Sequence, residues 1–365
     1  MEKVKVLIVD DSAFMRKLIS ELLAEDNRME IIGTARNGKD ALLKIKSLKP
    51  DVVTLDVEMP VMDGLEALNR IMEECPTAVV MLSSTTKEGT ESTCIAMQSG
   101  AIDFIAKPSG AISLDLHKIK EELCEKVMAA SLANVHKLQK SAINVERNPS
   151  DWKKYSKIES KEINDIDNDM KKWFHGNKKI VVIGTSTGGP RALQTVLTGL
   201  PENIDAPILI VQHMPPSFTK SLADRLNSLS RIRVKEAEDG ELIQKGVAYI
   251  APGGFHFKVK KVGLSLAVEL DQSEQRNGHR PSVDVLFESV SEIAEFAKIA
   301  VVMTGMGMDG SSGLTKLKRT GPLKAIAESQ ETSIVFGMPK AAIATNLIDS
   351  IEDVDKIAKA IIGYC

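Results

Sequence analysis

Short apolar runs alternate with amphipathic stretches from the first residues onward. Val4-Lys5-Val6-Leu7-Ile8-Val9 predicts a strand that ends in Asp10-Asp11, and Ala13 to Ala24 has apolar residues at helical spacing. Ile31 to Ala35 predicts a second strand and Gly38 to Leu48 a second helix. Asp51 to Leu55 predicts a third strand ending in Asp56, Ala78 to Leu82 a fourth ending in Ser83-Ser84, and Asp103 to Ala106 a fifth ending in Lys107-Pro108. Near-continuous apolar strands between helices predict a parallel sheet covered on both faces, a doubly wound α/β domain.

Leu116 to about Gln139 predicts a long helix with Leu116, Ile119, Leu123 and Val127 on one stripe. From about Ser141 to Asn177 the pattern turns polar, rich in Asn, Lys and Asp, and reads as a linker. Both tryptophans, Trp152 and Trp173, lie in it with Tyr155 and Phe174. They read as apolar pins holding the linker to a domain surface, with docking between domains as the sharper alternative. From Lys178 the strand and helix patterns resume. Val247 to Val259 and Ser265 to Leu270 predict strand, turn, strand, an antiparallel excursion in a mostly parallel sheet. The division expected is a first α/β domain over residues 1–125, a helix and linker over 126–177, and a second α/β domain over 178–365.

At 365 residues the chain is too long for one ordinary core, which agrees with two domains. Hydrophobic content of 43% and charged content of 27% are those of a soluble globular protein. The net charge of -3 argues against nucleic-acid binding through bulk electrostatics. No apolar stretch reaches membrane-spanning length. The first strand starts at once and leaves no room for a signal peptide. Cys75, Cys94, Cys124 and Cys365 show neither metal spacing nor a paired framework, as expected of reduced thiols in a cytoplasmic protein.

Asp10, Asp11 and Asp56 all fall just past predicted strand ends, which in an open parallel sheet line one crevice. Three carboxylates there repel unless a cation joins them, and oxygen-only ligands suit Mg²⁺. Ser83 and Lys107 reach the same edge. Helix capping explains any one aspartate, but not five such groups at four strand ends. Asp10-Asp11, the stretch from Asp56 to Gly64, Ser83 and Lys107-Pro108 resemble the receiver domain of two-component response regulators, over about residues 1–125. The resemblance implies that Asp56 accepts a phosphoryl group from a histidine kinase. It implies Mg²⁺ held by Asp11, Asp56 and the Glu58 carbonyl, beside Asp10. Phe104 matches the family's aromatic switch position, and Lys107-Pro108 a bond that is usually cis.

In the second half, Gly184-Thr185-Ser186-Thr187-Gly188-Gly189-Pro190 lies between an apolar run and a helical pattern. Strand, glycine turn and helix present a serine as a nucleophile needs it. The bland reading is an N-cap serine ahead of Pro190. His213 closes the apolar run Pro207 to Val211, whereas His256 alternates with Phe255 and Phe257 in a strand-like run. Asp309, in Thr304-Gly305-Met306-Gly307-Met308-Asp309-Gly310, would orient His213. Asp284 competes, but its setting reads as a helix start. The same glycines match a dinucleotide fingerprint, with Glu328 as its acidic residue at a stretch. The order Ser, His, Asp differs from that of α/β-hydrolases.

These segments, with Ala251-Pro252-Gly253 and His279-Arg280-Pro281-Ser282-Val283-Asp284, resemble the catalytic domain of chemotaxis protein-glutamate methylesterases, the CheB family, over about residues 178–362. The resemblance implies Ser186 as nucleophile, His213 as base, Asp309 as its partner, and Thr187 and Met306 beside the oxyanion site. No cofactor is expected there. Thr185 departs from the alanine of many members, and the linker is longer than in many. The function implied is a phosphorylation-gated esterase that frees glutamates on methylated chemoreceptors, releasing methanol, in a monomer that binds no nucleic acid and does not insert into membrane. In the resting state the receiver would cover the cleft. The same chemistry suits a glutamine amide. A phosphorylation-dependent adaptor without turnover stays as an alternative. A DNA-binding regulator is disfavoured by the lack of a helix-turn-helix pattern.

Overall fold

The computed structural model describes residues 2–107, 116–133 and 178–365. Trp152, Trp173 and the Lys107-Pro108 bond lie outside those residues. In the first domain, β1 (Val4–Val9), β2 (Met29–Ala35), β3 (Val52–Asp56), β4 (Ala78–Ser83) and β5 (Asp103–Ala106) form one parallel sheet in the order β2-β1-β3-β4-β5. Helices α1 (Ala13–Ala24), α2 (Gly38–Leu48), α3 (Gly64–Glu74), α4 (Lys87–Ser99) and α5 (Leu116–Ser131) cover it. The first four start at Ser12, Asn37, Asp63 and Thr86, whose side chains each accept an amide N–H of the opening turn. Helix α5 runs past position 125 and ends at Ser131 rather than near Gln139. Its Leu123, Val127 and Ala130 pack with Ile8, Val80 and Ile105 in the core of the first domain.

The second domain has seven parallel strands in the order β14-β13-β12-β6-β7-β9-β8. These are β6 (Lys178–Thr185), β7 (Ile208–Gln212), β8 (Arg233–Glu236), β9 (Val247–Ile250), β12 (Phe296–Val302), β13 (Leu323–Glu328) and β14 (Ser350–Glu352). The predicted excursion is a separate antiparallel sheet, β10 (His256–Val262) with β11 (Ser265–Asp271), while β9 stays in the parallel sheet. Helices α6 (Gly189–Thr198), α7 (Phe218–Leu229), α8 (Val283–Ser291), α9 (Ser311–Arg319), α10 (Met338–Ala344) and α11 (Val354–Tyr364) complete the domain. Strand order runs one way from β6 through β7 and the other way from β12 through β13. The crevice of an open α/β sheet lies at such a reversal, outside the carboxyl ends of the strands. Ser186 follows β6 and Thr304 follows β12, so both loops sit there.

The two domains touch through α4, β5 and the helices beside that crevice. Phe104 of β5 stacks on Phe218 of α7 with ring centroids 4.5 Å apart. Thr90 and Ser221 share a hydrogen bond of 2.7 Å, and Arg225 Nε donates to Gln98 Oε1 at 3.0 Å.

Candidate active site and phosphoacceptor site

β6 and β7 pair with Thr185 opposite Gln212, which sets the next residues, Ser186 and His213, side by side at the strand ends. The backbone locks this. Ser186 N donates to Thr304 O at 3.0 Å, and His213 N to Thr185 O at 3.1 Å. The Gln212 side chain adds a brace that the sequence did not signal: its Nε2 donates to Ser186 O at 3.0 Å and His213 O at 3.1 Å. Thr185 Oγ1 donates to Gln212 Oε1 at 2.7 Å, so the departure at Thr185 serves that brace. Ser186 is not the N-cap of α6; Gly188 holds that place, with Pro190 in the first turn. At Gly305 a Cβ would come within 2.7 Å of the Ser186 Cβ, so the two glycine loops pack as only a glycine permits.

His213 Nε2 meets Asp309 Oδ2 at 2.8 Å, with side chains only 6% and 2% exposed. Nδ1 of His213 is buried and has no hydrogen-bond partner among the described residues. Asp309 also accepts from Val283 N at 2.7 Å, Ser282 Oγ at 2.9 Å, Asn277 Nδ2 at 3.0 Å and Asp284 N at 3.1 Å. Burial opposes its charge, but the bond and charge of His213 and those N–H groups outweigh it. The carboxyl is held well below the usual range. Asp284 is drawn away from His213: it accepts from Gly310 N at 2.9 Å and Gly313 N at 2.7 Å, tying α8 to the Asp309 loop. His256 is buried with Nε2 on Glu274 O at 2.9 Å, a structural role.

The ring of His279 stacks on His213 at 3.7 Å and 15°. Glu328 accepts from Thr304 N at 2.8 Å and Thr332 Oγ1 at 3.0 Å, beneath the Ser186 loop. It is fully committed to the strand ends, away from any dinucleotide role. Thr187 is buried, with its carbonyl accepting from Thr304 Oγ1 at 2.9 Å. Its own hydroxyl donates across the domain boundary to Asp103 Oδ2 at 2.5 Å. Met306 is half-buried on the same loop as Asp309.

In the first domain, Asp10, Asp11 and Asp56 offer oxygens within 4.8 Å of one another. Lys107 Nζ meets Asp10 Oδ2 at 2.9 Å and Asp56 Oδ1 at 2.7 Å. Burial pushes the Asp56 carboxyl up to about 6, and Lys107 pulls it back. An all-oxygen set of this span, partly open through Asp11, fits a small divalent cation such as Mg²⁺. Glu58 N donates to Asp56 Oδ1 at 3.4 Å, placing Glu58 at the same edge. Ser83 is turned away, donating to Ser84 O and Gly89 O, each at 3.0 Å. Phe104 is buried against the second domain.

A family model described as CheB methylesterase matches residues 181–361, and one described as response regulator receiver domain matches residues 6–117. A protein of Geobacillus kaustophilus named protein-glutamate methylesterase/protein-glutamine glutaminase is 57% identical over 364 residues, covering 99% of each chain. One of the same name from Bacillus subtilis is 51% identical, covering 98% of this chain and 97% of its own. A crystal structure of the Thermotoga maritima CheB methylesterase catalytic domain matches with 47% identity and a TM-score of 0.50, over 52% of this chain and all of that one. The chain belongs to the CheB methylesterase family and carries that family's catalytic domain behind a response-regulator receiver domain.

Proposed function

We propose that Ser186, His213 and Asp309 form a serine-hydrolase triad that removes methyl esters from chemoreceptor glutamates, and that phosphorylation of Asp56 releases it from the receiver. The observation that carries this reading is Asp309: a buried carboxylate with five hydrogen-bond donors, one of them His213. Such a group orients an imidazole and stabilises it once protonated.

Ser186 Oγ attacks the ester carbonyl while His213 Nδ1 takes its proton. The tetrahedral intermediate collapses with that proton passing to departing methoxide, so methanol leaves. Water, activated by the same nitrogen, then frees the glutamate. The loops of Thr187 and Met306 supply backbone N–H groups toward the oxyanion, usually a large part of the rate gain. The same chemistry suits a glutamine amide, with ammonia leaving, and relatives carry both activities in their name.

On the receiver, Asp56 takes the phosphoryl group from a histidine kinase, and Asp10, Asp11 and the Glu58 carbonyl are the further residues that would hold Mg²⁺. When bound, that ion neutralises charge on the transferring phosphoryl group. Lys107 stays as the fixed cation of the site. The reading places the chain in the cytoplasm as a monomer that meets its receptors from the aqueous side, and the free thiols agree with a reducing compartment.

A fluorophosphonate tests the nucleophile directly. Mass spectrometry of the digested full chain is expected to find the label on Ser186, with labelling abolished by His213→Ala. A label elsewhere, or undiminished labelling without His213, would remove the triad.

A further inference from the structure

We infer that His279 is a positioning residue for the base: its ring, stacked on His213, sets the plane of that imidazole so that Nδ1 faces the Ser186 hydroxyl. The inference rests on the triad reading and adds to it a fourth side chain.

A single hydrogen bond from Nε2 to Asp309 leaves the His213 ring free to turn about that bond. No second hydrogen bond stops it among the described residues, because Nδ1 has no partner. The His279 ring does stop it, at 3.7 Å and 15° from parallel. A flat ring at that spacing blocks rotation and keeps water off the covered face.

His279 is itself held in register with Asp309. Arg276 and His279 exchange backbone bonds, N to O, of 3.0 and 2.9 Å. The two residues between them, Asn277 and Gly278, have φ of 55° and 78°, the left-handed pair that closes a tight hairpin. From that turn Asn277 Nδ2 donates to Asp309 Oδ1 and to Asp284 Oδ2, both at 3.0 Å. Further along the same segment, Ser282 to Asp284 deliver three more donors to Asp309. One segment, 276–284, therefore grips the orienting carboxylate and the flank of the base together. Ser186 has no part in that grip, so the base keeps its geometry while the serine reacts.

The charge state suits the role. Burial, then the neighbouring His213, push the His279 imidazole down to about 4, against the pull of Asp309. Lys126, reaching in from α5, pushes the same way. His279 is thus neutral when His213 becomes an imidazolium, and its ring face meets that cation without repulsion.

The test uses the full chain activated by a small-molecule phosphodonor, with methanol release from methylated receptor membranes as the readout. His279→Ala is expected to lower kcat by roughly 10- to 100-fold with KM within about twofold, since a misplaced base costs rate rather than binding. His279→Phe, flat and uncharged, is expected to recover kcat to within about threefold, with a pH profile that overlays the native one across the neutral range. Should the alanine chain not fold, His279→Leu replaces it with the same expectation. Native kcat in the alanine or leucine chain would overturn the inference. So would a phenylalanine chain as impaired as alanine, which would assign the loss to the imidazole's own proton chemistry. A loss expressed in KM alone would make His279 a substrate contact. Ser186→Ala runs alongside: if it retains activity the triad itself has failed, and if it is inactive the His279 result stands alone.

Discussion

The ring of Phe104, on the last strand of the receiver, lies 4.5 Å from the ring of Phe218 and 29° from parallel to it. One residue earlier, Asp103 accepts the hydroxyl of Thr187, the residue after Ser186. Lys126 Nζ holds the other Asp103 oxygen at 3.3 Å and Phe104 O at 2.6 Å. The residue matched to the receiver's switch position is therefore bonded in sequence to one that grips the Ser186 loop. A shift of Phe104 on phosphorylation would move both contacts at once.

Asp103→Ala removes the grip and leaves the triad intact. A hydrogen bond to a charged group contributes about 1.5–3 kcal/mol. Methanol release without phosphodonor is expected to rise roughly tenfold or more, while the phosphorylated rate stays near native. An unchanged unphosphorylated rate would place the restraint elsewhere in the interface.

Asp309→Ala strips His213 of its partner and leaves the donors of Val283 and Asp284 facing a void. The expected loss in kcat is about 10³- to 10⁴-fold, by analogy with triads that lose their carboxylate. Asp284→Asn should act differently, because Asp284 holds Gly310 and Gly313 and has no bond to His213. Its effect should appear as a lowered melting temperature with a smaller loss of rate.

Glu328 predicts a pH dependence of stability. Burial, aided by Asp353 and opposed by the Thr304 and Thr332 bonds, raises its carboxyl from 4.5 to about 7. Between those values the folded chain holds a proton that the unfolded chain has released. Stability from this group is therefore full below about pH 4.5 and is lost as pH rises through 7, by up to about 3 kcal/mol. Urea midpoints of Glu328→Gln should fall less between pH 5 and 8 than those of the native chain. Parallel curves would show that Glu328 ionises normally.

Asp56→Asn, or chelation of divalent ions, is expected to abolish stimulation by phosphodonor and leave the low unphosphorylated rate unchanged. Stimulation that survives both would mean that the acidic cluster is not the acceptor.

Much of this was legible in the sequence because it is local. Strand ends carry Asp10, Asp56, Ser186 and His213, and an apolar run followed by a polar residue reveals a strand end. Helices α1 and α2 start and stop where their spacing predicted. Helix α5 stops short of the expected end, since an amphipathic stripe says which face packs but not where packing ceases. What was not legible is what joins distant segments. The Gln212 brace, the Ser83 hydroxyl turned to Gly89, and the Asp103–Thr187 bond depend on tertiary placement. The Asn277-Gly278 turn carried a readable hairpin signal, yet nothing local says that it delivers His279 onto His213.

The most direct measurement is methanol release from methylated receptor membranes, with and without Mg²⁺ and a small-molecule phosphodonor, in native and Ser186→Ala chains. Release is expected to rise with phosphodonor only when Mg²⁺ is present, and to be absent from the Ser186→Ala chain. Release that persists without the Ser186 hydroxyl, or that ignores the phosphodonor when Asp56 is shown to be phosphorylated, would contradict the proposed function.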